Sequence, residues 1–127
     1  MNIVAVERVL PQRRVTNGWI LEQLRLHNRD RMPAADLQRL ERRVEEGLAI
    51  AGTEVRFILD DGESASDLVI RAGRQALARA GLAPGDLDFL IYTGVGRGCV
   101  EPAMASTIQP ALGAKNATCF DVLDACA

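Results

Sequence analysis

Phe120-Asp121-Val122-Leu123-Asp124-Ala125-Cys126-Ala127, the last eight residues, read as a buried strand running directly into a cysteine. A helix beginning at that point would aim its free backbone N–H groups at the sulfur and favour the thiolate over the thiol, which is how a chain builds a nucleophile. The sequence stops one residue after Cys126. Neither that helix nor a base to serve the sulfur is expected within it, and the stretch reads as a fragment.

Working back from this end, Asp86 to Thr93 holds the near-continuous apolar run Leu87, Phe89, Leu90, Ile91, Tyr92. Such a run predicts a strand buried on both faces in a parallel or mixed sheet. Between the two strands Glu101-Pro102 predicts a helix start, with Pro102 as its first helical residue and Glu101 at or beside the cap, where the dipole favours a carboxylate. Pro110 removes a backbone donor, so the helix is expected to kink or end there. The glycines of Gly94-Val95-Gly96-Arg97-Gly98 raise a nucleotide-binding turn, but the dinucleotide pattern needs a third glycine where Cys99 stands. The phosphate-loop pattern Gly-Lys-Ser/Thr is absent from the sequence. A turn that lets backbone approach something closely fits better.

The first half supplies further elements in α/β order. Ile3 to Leu10 is expected as a strand closed by Pro11, followed by the turn Pro11-Gln12-Arg13-Arg14. Thr16 or Asn17 can then cap a short helix carrying Ile20, Leu21 and Leu24. Pro33 opens a helix whose stripe is Leu37, Leu40, Val44 and Leu48, ended by Gly52. Val55, Phe57 and Leu59 alternate as a short strand or arm. Ser64 and Asp67 resemble a capping box, and the helix they open runs through the small residues Ala72, Gly73, Ala76 and Ala80 to Gly81.

Composition sets the limits. With 127 residues, 48% hydrophobic and 25% charged, the sequence belongs with folded, soluble chains. A net charge of -2 gives no overall attraction to nucleic acid. No run is long enough to span a bilayer, and no basic segment precedes an apolar block at the start, so a cytoplasmic location is expected. Cys99, Cys119 and Cys126 form no C-x-x-C pair, and no metal site is expected. Of the 15 basic residues only Lys115 is lysine. Six arginines between Arg25 and Arg43, mixed with Asp30, Asp36 and Glu41, form either a solvated helical face or a docking surface for a phosphate-bearing cofactor or acidic carrier protein. His27, the sole histidine, reads as a surface or capping residue rather than a base.

Taken together, Leu10-Pro11, Val15-Thr16-Asn17, Ser64-Ala65-Ser66-Asp67-Leu68, Gly81-Leu82, Asp88-Phe89-Leu90-Ile91, Glu101-Pro102-Ala103 and Phe120-Asp121-Val122 through Ala125-Cys126 resemble the N-terminal half of a ketosynthase III of the thiolase superfamily. The resemblance implies an α/β thiolase fold, layered αβαβα. Residues 1–127 would form an incomplete N-terminal half-domain, and the C-terminal half would lie outside this chain. Half of such a fold leaves a large apolar face uncovered, so the missing half and a dimer partner are expected.

In such enzymes an acyl group passes from coenzyme A or an acyl carrier protein to the cysteine, and a second acyl thioester attacks it as a carbanion, a Claisen condensation. Cys126 is then the nucleophile, with its own amide contributing to the oxyanion hole. A histidine and an asparagine, or a second histidine, normally complete the site from the C-terminal half. Acyl thioesters are substrates here, and no permanently bound cofactor is expected. Thr93-Gly94-Val95, Arg97, Glu101-Pro102-Ala103 and Ala105-Ser106 are similar to the branch that joins two fatty acyl-coenzyme A molecules head to head into a β-ketoacid. There a glutamate at the Glu101 position acts as base across the dimer interface.

Three departures accompany the likeness. Glu46 and Ile50 stand where a tryptophan and an arginine often hold the adenine end of coenzyme A, so cofactor-binding residues are left unassigned. Asp124, two residues before Cys126, places a carboxylate near the sulfur, which disfavours thiolate unless it is neutralised or turned away. The C-terminal half is missing. Alternatives are a malonyl-dependent primer synthase, acyl transfer to an alcohol or amine, and, in another class, a non-catalytic partner subunit of a ketosynthase complex.

Overall fold

The computed structural model describes residues 2–94 and 101–123. Two compact units are present, Pro11–Asp60 and the remainder formed by the first ten residues with the chain from Asp61 onward.

In the Pro11–Asp60 unit, β1 (Arg13–Thr16) pairs antiparallel with β2 (Val55–Ile58), Val15 opposite Arg56. The turn expected at Arg13-Arg14 is therefore a strand. Two adjacent arginines after a proline carry no local strand signal, and the conformation is set by the ladder that β2 offers. Val15 is buried while its neighbours face outward. Thr16 caps α1 (Asn17–Asn28), its hydroxyl accepting the Trp19 N–H at 3.3 Å, and the Arg13 guanidinium lies 4.9 Å above the Trp19 ring. Pro33 precedes α2 (Ala34–Ala51), which Gly52 ends at φ 64°, a conformation that costs a residue without a Cβ little. The expected stripe Leu37, Leu40, Val44 and Leu48 is the half-buried side of α2. Arg25 reaches Glu41 at 3.0 Å and ties α1 to α2.

The other unit contains α3 (Ala65–Ala80), a 3₁₀ turn at Pro84–Asp86, β3 (Phe89–Thr93), α4 (Met104–Leu112) and β4 (Thr118–Val122). β3 and β4 run parallel, with Leu90 opposite Cys119, Ile91 opposite Phe120 and Tyr92 opposite Asp121. The intervening helix makes this a βαβ unit, within the α/β order read from the sequence. Its core is Met104, Ala105, Ile108, Ala114 and Ala117. Ser64 caps α3, accepting the Asp67 N–H at 3.1 Å. Asp67, one methylene shorter than a glutamate, receives the Ser64 hydroxyl at 2.6 Å instead of reaching the cap backbone, so the pair is a cap rather than a full capping box.

Three expectations are corrected here. Residues 3–10 are not a strand: the stretch has no ladder partner among the described residues, and Ile3, Val4 and Val6 are more than two-thirds exposed. It is held instead by Glu7, whose carboxylate takes a 2.7 Å bond from Arg79 on α3 and, by that bond first and its charge second, pushes the guanidinium pKa up. Second, β3 and β4 are covered on one face only. Leu90, Tyr92, Cys119 and Asp121 point to the half-buried side, whereas Phe89, Ile91, Phe120 and Val122 are exposed, Phe89 by 63%. Alternation, not continuous burial, describes this pair. Third, α4 runs through Pro110 to Leu112. Its last turn is held by other bonds: the Ala114 N–H to Gln109 O at 3.1 Å, and Arg74 Nη2 to Ala111 O at 2.8 Å. A proline so close to the end removes one bond without breaking the helix.

Candidate active site

The strand that leads toward Cys126 is joined to the helix that follows Glu101 by one carboxylate. Asp121, fourth residue of β4, directs its side chain to the covered face and accepts the Met104 N–H on Oδ2 and the Ala105 N–H on Oδ1, each at 2.8 Å. These are first-turn donors of α4 that have no partner within the helix. Ala103, the residue at the cap position, has no side chain to satisfy them. The anion at the positive end of the helix dipole is further favoured by charge. The bonds span 16 and 17 residues of sequence and fix β4 against the start of α4.

Glu101 lies in the bend just before this start, in a cis peptide bond with Pro102, and is exposed. The helix begins at Met104, not at Pro102, so Glu101 is two residues ahead of the cap and does not fill the capping role expected of it. That role belongs to Asp121. The sequence signals only a need, since an aspartate at an inward-facing position of an otherwise apolar strand must find donors, whereas the helix N-terminus that supplies them is set by tertiary packing.

Beside Asp121 on the same face stands Tyr92, its partner in register. The Tyr92 ring closes over Gly94 so tightly that a Cβ there would meet the hydroxyl oxygen at 2.9 Å. Deeper in the unit, Gln109 locks α4 to the β4 entry. Its amide donates to Ala117 O at 2.6 Å and to Ala114 O at 3.1 Å, and its carbonyl accepts the Cys119 thiol at 3.3 Å. Cys119 is thereby engaged in packing.

Cys126, the expected nucleophile, lies outside the described residues, as do Asp124, Cys99 and Arg97. Of the expected site, then, Glu101 is placed just ahead of α4, and β4, the strand that precedes the Cys126 segment, ends at Val122. His27 is exposed and, in the tautomer protonated at Nδ1, donates to Gln23 O at 2.8 Å on its own helix. Glu46 and Ile50 are both exposed. Within the arginine group, Arg25, Arg29 and Arg39 pair with Glu41, Asp30 and Asp36, the pattern of a solvated, internally neutralised face. Two apolar cavities of about 320 and 290 Å³ lie under the N-terminal segment along α3, sharing Gly73, Ala76, Leu90 and Leu112. Glu101 lines neither. Among the described residues no three His, Cys, Asp or Glu side chains cluster as metal ligands, and no helix is long and apolar enough to cross a membrane.

No family model matches the chain. A curated relative, the beta-ketoacyl-[acyl-carrier-protein] synthase III of Cereibacter sphaeroides, is 37% identical over 97 residues, 76% of this chain and 30% of that protein. The enzyme of the same name from Listeria welshimeri is 43% identical over 76 residues, 60% of this chain and 24% of that one. Among solved structures, an OleA variant of Xanthomonas campestris superposes with a TM-score of 0.77 at 27% identity, over 98% of this chain and 34% of that one. The chain belongs to the ketosynthase III-like thiolase superfamily. It spans about a quarter to a third of the length of these superfamily relatives, on their N-terminal side. The α/β thiolase fold expected from the sequence is thus the fold observed. Solved OleA structures include variants in which one glutamate is replaced by glutamine, aspartate or alanine, and a cysteine-to-serine variant with bound lauric acid and lauroyl-CoA. Along this chain, Asp121 on β4 and Glu101 ahead of α4 both precede the Cys126 segment.

Proposed function

We propose that the complete protein containing this chain is a Claisen-condensing acyltransferase of the ketosynthase III type, joining two fatty acyl thioesters. Cys126 attacks the thioester carbonyl of a first acyl-coenzyme A or acyl carrier protein; the acyl group passes to sulfur and the carrier thiol leaves with a proton. Glu101, reaching across a dimer interface, removes the α-proton of a second acyl thioester. The resulting carbanion attacks the acyl-cysteine carbonyl, the cysteine thiolate departs, and the product is a β-ketoacyl thioester that water cleaves to a β-ketoacid and free thiol. The histidine and asparagine that assist the cysteine belong to the C-terminal half of the fold, outside this sequence. Acyl thioesters are substrates, and no resident cofactor is invoked.

The observation that carries this reading is that Glu101 stands exposed just ahead of α4, while the capping of that helix falls to Asp121, so the Glu101 carboxylate is presented outward from the helix entry. Support also comes from OleA, in which a glutamate and a cysteine at nearly the same spacing as Glu101 and Cys126 have been the residues substituted. Incubating the complete protein with a radiolabelled long-chain acyl-coenzyme A alone tests it: a β-ketoacid product supports head-to-head condensation. A second reading, malonyl-dependent priming, is favoured by the higher identity to proteins named synthase III. A strict demand for malonyl carrier protein in the same assay would establish it instead. Unchanged turnover after Cys126→Ser would leave only a non-catalytic partner role.

A further inference from the structure

We propose that Asp121 is a positioning residue that sets where Glu101 stands during the condensation step, an inference that rests on the reading of Glu101 as the base. Three observations lead to it. Asp121 is the side chain that holds the first two N–H groups of α4, whose cap residue Ala103 contributes none. Glu101 is only two residues before that cap, so its backbone is as fixed as the helix entry and no more. And Asp121 lies on β4, five residues before Cys126, so one carboxylate ties the loop of the base that a protomer lends to its partner's site to the strand that leads to that protomer's own nucleophile.

An ordinary N-cap stabilises a helix from its own preceding residue and carries no information about another element. A cap donated by a neighbouring strand does both. Releasing it lets the helix entry shift against β4, and displacements of about 1 Å in a reacting group can cost on the order of a hundredfold in rate. The consequence falls on the step that uses Glu101, proton removal from the second acyl chain, more than on acylation of the cysteine. Asp121 touches no reacting atom in this account; it acts through Glu101.

The test measures the two half-reactions separately in the complete protein: formation of the acyl-cysteine from one acyl-coenzyme A, and its condensation with a second. Asp121→Asn keeps the size of the side chain but replaces one acceptor oxygen by a donor. The expected result is a fall of about ten- to a hundredfold in the ratio of condensation to acylation, carried by kcat rather than KM. Glu101→Gln should lower the same ratio, and Asp121→Asn added to Glu101→Gln should lower it little further, because both act on one step. A second variant separates positioning from stability: Asp121→Asn with Ala103→Ser gives α4 a cap of its own without restoring the tie to β4. Stability that recovers while the ratio stays low supports the proposal. Recovery of both, or a parallel loss of acylation and condensation in Asp121→Asn, assigns Asp121 to structure alone and overturns it. Normal condensation in Glu101→Gln overturns the base reading, and the positioning role with it.

Discussion

Asp121 Oδ2 lies 2.8 Å from the backbone nitrogen of Met104, and this single bond brings the end of β4 and the beginning of α4 together across 17 residues. With the parallel bond to Ala105 it satisfies two helix donors that are otherwise buried, since Met104 and Ala105 are nearly inaccessible. Removing the acceptor leaves both donors without partner or water. Asp121→Ala in the complete protein is therefore expected to cost about 2 kcal/mol, more than a surface cap does. Equilibrium denaturation measures this, and a loss below about 0.5 kcal/mol would contradict it.

A smaller effect is expected at Ser64. Its hydroxyl accepts the Asp67 N–H and donates to the Asp67 carboxylate, at an exposed helix start. Ser64→Ala removes one cap bond that water can partly replace, so the expected loss is about 1 kcal/mol, read from the denaturation midpoint. Equal costs at Ser64 and Asp121 would contradict the distinction between a wet cap and a buried one.

These two caps show why one was legible in the sequence and the other was not. Ser64 and Asp67 are three residues apart, and their interaction follows from local helix geometry. Asp121 and Met104 meet only because β4 packs beneath α4, which no local pattern specifies. The same division runs through the fold. The helices at 34–51 and 65–80 and the strands at 89–93 and 118–122 follow from periodicity and glycine stops. Arg13–Thr16 becomes a strand only because Val55–Ile58 pairs with it, and residues 3–10, apolar enough for a strand, find no ladder among the described residues. Of the candidate site, Cys126 and Glu101 are suggested by motif, while the carboxylate that caps α4 emerges only from tertiary contact.

The outer face of the β3–β4 pair carries Phe89, Ile91, Phe120 and Val122, all more than two-fifths exposed. A contiguous apolar surface on a parallel pair calls for cover. The 127-residue chain prepared alone is expected to bind the dye ANS strongly, and Phe89→Ser with Phe120→Ser to reduce that fluorescence severalfold. Weak dye binding by the unsubstituted chain would show that the face is covered within the chain itself.

Arg79 and Glu7 hold the N-terminal segment on α3 through an exposed pair. The Arg79 pKa is raised by its partner, so the stabilisation from that shift is present through the neutral range, below the unfolded arginine pKa, and is lost as pH climbs through the folded one in strong alkali. Across the neutral range salt, not the titration of Arg79, controls the contact, because screening at ~1 M shortens the Debye length to about 3 Å. Limited proteolysis near residues 3–10 is expected to speed up both in high salt and in Glu7→Gln at low salt, and unchanged cleavage in both would contradict the role given to the pair.

The most direct test of the account is the mass of the peptide containing Cys126 after the complete protein meets a long-chain acyl-coenzyme A. The account predicts that this peptide gains the mass of one acyl group, lost on hydroxylamine treatment and absent in Cys126→Ala. An unmodified Cys126 peptide in a folded protein that still turns over its thioester would contradict it.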